Sequence, residues 1–167
     1  MAEKYGLPAG VKPEDAKAFA VLAYGKLGGL ELGYGSDLDL VFLHQCDSLA
    51  DTSGDRAIDS RQFYLKLVQR ILHLCTTRTA SGVLYDVDTR LRPSGNAGLL
   101  TVHIETYRDY LLQDAWTWEH QALVRTRLIY GDPAIAERFD QIRAEVLALP
   151  RDKNTLSLEV QEMRDKL

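Results

Sequence analysis

Two short apolar runs near the start of the chain predict the first strands of a sheet. Ala18–Tyr24 is apolar throughout, which is typical of a buried strand, and Gly25 ends it. Asp37–His44 alternates between polar and apolar residues and then becomes apolar, which predicts a second strand that is deeply buried at its far end. The segment Lys26–Ser36 between them contains four glycines, so we expect a loop rich in turns.

The next pattern has helical spacing and predicts a helix from Ile58 to Arg78. Its apolar stripe consists of Phe63, Leu67, Ile71 and Leu74, widened by Val68, Leu72 and Cys75. Cys75 is therefore interpreted as a core residue. Ser81-Gly82 ends the helical pattern, and alternation over Val83–Leu91 predicts a third strand.

From His103 onward the pattern predicts only helices. Gly131-Asp132-Pro133 supplies a C′ glycine, an N-cap and an N1 proline in succession, which predicts a turn between two helices. Trp116 and Trp118 are expected to anchor the core of this helical region. A last apolar stripe reaches the end of the chain without a stop signal, so we expect the chain to be a piece of a larger protein. That stripe consists of Leu156, Val160, Met163 and Leu167.

Composition narrows the class of protein without identifying it. The chain has 167 residues, 46% of them apolar and 26% charged, as is typical of a globular protein. No apolar run approaches the length of a membrane span, and no secretory signal pattern is present. The net charge of −4 argues against a broad nucleic-acid surface. Two cysteines are too few for a disulfide framework, so a reducing cytoplasm is expected.

The candidate chemistry lies in two groups of carboxylates. Side chains two apart on a strand share a face, so Asp37 and Asp39 point the same way, as do Asp86, Asp88 and Arg90. If the two strands are neighbours, these carboxylates converge, and their mutual repulsion favours a bound cation. Oxygen ligands of this kind select Mg²⁺ or Mn²⁺. Two such ions can clamp the attacking and leaving oxygens of a phosphoryl transfer.

Glycines and cations around the carboxylates are suited to a bound triphosphate. Gly35-Ser36 can present backbone N–H groups and a hydroxyl to phosphate oxygens, while Lys26, Arg90 and Arg92 can neutralise its charge. Ordinary structural roles remain open at this point. The first aspartate pair is also compatible with a solvated strand face, and Gly28-Gly29 with a tight turn.

Three stretches together resemble a known family, the glutamate–ammonia-ligase (glutamine synthetase) adenylyltransferases. They are GKLGGLELGYGSDLDL at 25–40, VDTRLRPSG at 87–95 and WEHQALVR at 118–125. The family belongs to the nucleotidyltransferase superfamily that includes DNA polymerase beta. The resemblance implies an α+β fold, with a small mixed β-sheet and flanking helices followed by a C-terminal helical bundle segment. It implies a catalytic core over residues 1–100 and a truncated helical region over residues 101–167.

The resemblance also implies a reaction and a site. The family's enzyme has two such domains, and the stretches LGYGS at 32–36, FLH at 42–44 and WTWEHQALVR at 116–125 resemble its C-terminal, adenylylating half. That half transfers AMP from ATP to a tyrosine of glutamine synthetase. The implied ligands of two Mg²⁺ ions, and catalytic residues, are Asp37, Asp39 and Asp88. The implied ATP-binding residues are Lys26, Gly28, Gly29, Gly35, Ser36, Arg90 and Arg92. Implied partners are glutamine synthetase and, through other regions of the full-length enzyme, a P-II type nitrogen regulatory protein, with no nucleic acid and no membrane.

Other functions remain open beside adenylylation. Phosphorolytic deadenylylation uses the same chemistry on the product, and a catalytically silent nucleotide-sensing module would need the pocket without the reaction. A sugar-nucleotide transferase also uses an Asp-x-Asp pair, although Gly-Ser directly before the aspartates is better suited to a triphosphate. The role of Asp86 is left open, because alternation gives it the same standing as Asp88 and only the family motif selects Asp88.

Overall fold

A computed structural model of the chain describes residues 1–12, 18–46, 50–151 and 156–161. The helices are α1 (Ala2–Tyr5), α2 (Gly25–Gly28), α3 (Ser60–Thr76), α4 (Ile104–Gln113), α5 (Thr117–Leu123) and α6 (Pro133–Leu147). The strands are β1 (Phe19–Ala23), β2 (Leu38–His44), β3 (Val87–Asp88), β4 (Thr101–His103) and β5 (Arg127–Tyr130). Residues 95–97 form a short 3₁₀-helix, and residues 156–161 are helical.

The strands form one mixed sheet with β2 at its centre. β1 pairs antiparallel with β2, from Phe19 opposite His44 to Ala23 opposite Leu40, and β5 pairs antiparallel with β1. On its other edge β2 pairs in parallel with β3 along its first residues and with β4 along its last. The predicted α+β fold, a small mixed sheet flanked by helices, is confirmed.

Both faces of the sheet are covered, which explains the continuous apolar run at the end of β2. Val41 and Leu43 face a core shared with α4, α5 and α6, whereas Leu40 and Phe42 face a second core shared with α3. The alternation continues backward along the strand, because Leu38 packs against the second core. Asp39 therefore lies on the face of β2 that carries Val41 and Leu43, at the start of the strand, where the first core ends.

Several predictions about individual strands and loops need correction. The third strand was expected over Val83–Leu91, yet only Val87–Asp88 pairs, because the chain turns away at Thr89 and folds around Arg92. The region after His103 is not purely helical, since β5 is an edge strand of four largely exposed residues. The expected glycine loop begins with the helical turn α2. The predicted start of α6 is confirmed, with the Asp132 carboxylate accepting a hydrogen bond from the Ile135 N–H at 3.0 Å, but Gly131 follows strand β5 and does not end a helix as predicted.

Two predictions about core packing were wrong. Trp116 and Trp118 are exposed, because α5 turns Leu123 inward and Glu119 instead of a tryptophan faces the interior. Leu74 is 65% exposed and Cys75 only half-buried, since the contacts of α3 with the sheet fade toward its C-terminal end.

Two other expectations are not decided by the described residues. Met163 and Leu167 lie outside them, and the division of the chain at residue 100 stays a prediction. No helix within the described ranges is both long and apolar enough to cross a bilayer.

Candidate active site

Asp39 is held where β1 ends and α2 begins. The backbone N–H of Tyr24 donates to the Asp39 carbonyl oxygen at 2.9 Å, which continues the ladder by one residue. Gly25 follows with φ +52°, in the left-handed region that favours glycine. A Cβ atom at Gly25 would lie 2.2 Å from Asp39 Oδ2, so the carboxylate rests against bare backbone. Gly25 thus permits both the turn and the position of Asp39.

The predicted convergence of carboxylates is present between β2 and β3. Asp39 lies directly opposite Asp88 in the parallel register, and Asp37 is two residues before Asp39 on the same face. Burial raises the pKa of Asp39, and the negative charges of Asp88 and Asp37 raise it further. Lys26 and Arg90 act in the opposite direction. The site therefore concentrates negative charge that its own cations only partly offset.

Asp88 is bound by Arg90 from its own segment. The backbone N–H of Arg90 donates to Asp88 Oδ1 at 2.8 Å, and its Nε donates to Oδ2 at 2.7 Å, with Nη2 also contacting Oδ2. These hydrogen bonds from Arg90 hold the pKa of Asp88 below its usual range. Asp88 is therefore ionised at neutral pH. The predicted phosphate ligand Arg90 is thus paired with a predicted metal ligand in this structure.

The aspartates offer the carboxylate oxygens that hard divalent cations prefer, although they do not form a complete set of metal ligands. Within the described residues, no group of three or more histidine, cysteine, aspartate or glutamate side chains could hold a metal ion. Both Asp88 carboxylate oxygens accept hydrogen bonds from Arg90. Repulsion among Asp39, Asp88 and Asp37 nevertheless favours a cation at this point, since Asp39 carries a raised pKa. The two Mg²⁺ ions therefore remain a prediction.

Two depressions meet at the carboxylates. An open cleft of about 570 Å³ is formed by the loop before β2 and the segment before β3. A second depression of about 340 Å³ lies over the end of β3 and includes Arg90 and Asn96. Asp37 and Asp86 line both. Asp86 therefore belongs to the candidate site by position, and its carbonyl oxygen accepts the Leu38 N–H at 2.9 Å.

The predicted phosphate turn, Gly35-Ser36, lines the larger cleft. Gly35 has φ +74°, and within the described part of the chain no atom lies within 4 Å of the position of a Cβ atom there. The Gly33 N–H donates to Ser36 Oγ at 3.3 Å, which folds this turn back on itself. Lys26, on α2, is near enough to Asp39 to lower its pKa. A phosphate-binding role for these residues stays a prediction.

Gly28, Gly29 and Arg92 have structural contacts that the sequence does not predict. A Cβ atom at Gly28 would lie 2.2 Å from the Arg125 carbonyl oxygen, and one at Gly29 would lie 2.6 Å from the Arg125 guanidinium. Arg92 is buried and donates through Nη1 to the Thr89 carbonyl oxygen at 2.7 Å and to its Oγ1 at 2.8 Å. These contacts hold the loops around the site, and direct contact with ATP remains a prediction for all three.

Arg125 and Arg127 support the site, although the sequence analysis did not predict a role for either. Arg125 forms an ion pair with Glu31, in the glycine loop. Arg127 donates through Nη2 to the Leu27 carbonyl oxygen at 3.1 Å, at the end of α2. Arg125 ends the WEHQALVR stretch, so the motif contained a signal for it, whereas Arg127 lies outside any motif.

The sequence of this chain also matches a known protein family. A family model described as glutamate-ammonia ligase adenylyltransferase matches residues 1–142. The chain belongs to this family. The match includes the glycine loop, the aspartates of β2 and β3, and both supporting arginines. Family membership identifies the chain with adenylyltransferases that act on glutamate-ammonia ligase, which is glutamine synthetase, and so confirms the resemblance seen in the sequence.

Proposed function

We propose that this chain transfers AMP from ATP to a tyrosine hydroxyl of glutamine synthetase. The observation that supports this most strongly is the register of Asp39 opposite Asp88, with Asp37 on the same face, in a member of this family. A protein that only sensed nucleotide would not need three carboxylates focused on one point. Adenylylation would regulate the synthetase and hence nitrogen assimilation.

Each residue has a role that follows from its chemistry. Asp37, Asp39 and Asp88 would hold Mg²⁺, which when bound supplies charge neutralisation and polarises the phosphoryl oxygens. Asp88, ionised at neutral pH, orients the acceptor hydroxyl and takes its proton. The hydroxyl oxygen bonds to the α-phosphorus, the bond from the α-phosphorus to the bridging oxygen breaks, and pyrophosphate leaves. Lys26 and Arg90 offset charge on the triphosphate.

The test is incubation of the chain with unmodified glutamine synthetase, Mg²⁺ and ATP labelled in the α-phosphate. Label on a tyrosine of the synthetase supports the proposal. A parallel reaction starts from labelled, adenylylated synthetase and inorganic phosphate, and release of labelled ADP there would identify the chain as the phosphorolytic enzyme. ATP binding without transfer in either reaction would favour the sensing module and contradict the proposal.

A further inference from the structure

Exposed apolar side chains line both walls of the larger cleft. Leu32 and Tyr34 belong to the glycine loop on one wall, and Val83, Leu84 and Tyr85 to the segment before β3 on the other. All five side chains are exposed to solvent, and Leu84 is 66% exposed. We call this surface the apolar cleft. Apolar residues concentrated in one concave surface, as they are here, mark an interaction site more often than scattered ones do.

The lining of the apolar cleft combines acidic side chains with apolar ones. Of the residues that the structure describes, Asp37 and Asp86 are in its lining and no lysine or arginine is. The adjoining depression contains Arg90, whose guanidinium is exposed to solvent. With two carboxylates and five exposed apolar side chains in its lining, the apolar cleft suits a neutral or basic ligand with apolar groups.

The second wall is fixed to the body of the protein. The Tyr85 N–H donates to the Cys75 carbonyl oxygen at 3.2 Å, which ties the wall to the last turn of α3. Thr79 and Gly82 exchange backbone hydrogen bonds at 2.9 and 3.0 Å, closing the turn that leads into it. Side chains on this wall can therefore present a preformed surface to a partner.

We propose that the apolar cleft seats the segment of glutamine synthetase that carries the acceptor tyrosine. This inference rests on the proposed adenylylation. The cleft shares Asp37 and Asp86 with the depression that contains Asp88, so a segment lying in it delivers a side chain directly to the carboxylates. Its volume of about 570 Å³ accommodates a few side chains rather than a whole domain. The occupant is therefore a short segment with apolar and neutral or basic residues around its tyrosine.

The experiment compares Leu84→Glu with Leu99→Glu. Both leucines are exposed to nearly the same extent, 66% and 67%, and Leu99 lines neither depression. Binding of unmodified glutamine synthetase is measured without ATP, and KM is then measured for the synthetase and for ATP. We expect Leu84→Glu to weaken synthetase binding and raise its KM by about tenfold or more, as for a central interface residue. The KM for ATP should change less than about twofold, and Leu99→Glu should change neither.

Two results would overturn the inference. One is synthetase binding that is unchanged by Leu84→Glu. The other is a loss of ATP affinity as large as the loss of synthetase affinity, which would assign the cleft to the nucleotide. Failure of the proposed function has a different signature, namely an unmutated chain that binds the synthetase through Leu84 but never labels it.

Discussion

Gly25→Ala tests whether the site depends on the close approach of Asp39 to bare backbone. The added methyl would lie 2.2 Å from Asp39 Oδ2, so the carboxylate must move by about 1 Å to reach ordinary contact. A shift of that size in a catalytic group costs roughly 10²-fold in rate. Alanine at φ +52° also costs roughly 1–2 kcal/mol in backbone conformation. We therefore expect both a modest loss of stability and a large loss of AMP transfer.

Gly10→Ala is the matched control for this prediction. Gly10 has φ +75°, so alanine there costs a similar roughly 1–2 kcal/mol, but no atom of the described residues lies within 4 Å of the position of its Cβ atom. Urea unfolding should give comparable losses of stability for the two variants, whereas AMP transfer to glutamine synthetase should fall only in Gly25→Ala. Transfer by Gly25→Ala within a few-fold of the Gly10→Ala rate would refute the argument that Gly25 positions Asp39.

Three further predictions follow from the carboxylates and from one buried histidine. Asp88→Asn should slow AMP transfer by ~10²–10⁴-fold with a smaller effect on ATP affinity, and Asp86→Asn should slow transfer far less. If Asp86→Asn slows transfer more than Asp88→Asn does, the third carboxylate has been misassigned. Asp39→Asn should abolish transfer yet raise Tm at neutral pH in EDTA, because the raised pKa of Asp39 means that its ionised form destabilises the fold. The increase in Tm should vanish as the pH falls through the pKa of Asp39. An unchanged or lower Tm at pH 7 would contradict this prediction. Burial, with His103 nearby, lowers the pKa of His44 to about 4, so the folded protein resists protonation of this side chain. The free energy of unfolding should therefore be highest above about pH 6.5 and fall by up to about 3 kcal/mol as the pH is lowered toward 4. His44→Gln should remove this pH dependence.

Strand alternation was enough to predict half of the candidate site. Asp37 and Asp39 share a face because the side-chain period of a strand is two, and the burial of Leu38 and Leu40 on the opposite face fixes which face it is. The meeting of Asp39 with Asp88 depends on how 48 intervening residues return the chain to β2, which no local pattern encodes. The family motif supplied that information.

Local patterns failed where short elements depend on their neighbours. β4 and β5 have three and four residues, and each is a strand only because a longer strand of the sheet lies beside it. Contact of Arg92 with phosphates stays a prediction, but no local pattern shows that the loop from Thr89 to Gly98 closes around its guanidinium and offers carbonyl oxygens to it. Trp116 was expected in the core on its hydrophobicity alone, and the helix that follows it turns other residues inward.

The central claim is that the carboxylates between β2 and β3 transfer AMP to a protein tyrosine. The most direct measurement is the rate at which label from the α-phosphate of ATP appears on glutamine synthetase, for the unmutated chain and for Asp39→Asn side by side. We expect label with the unmutated chain and a labelling rate at least ~10²-fold lower with Asp39→Asn, while the variant remains folded. Label that appears at equal rates with both proteins, or with neither, would contradict it.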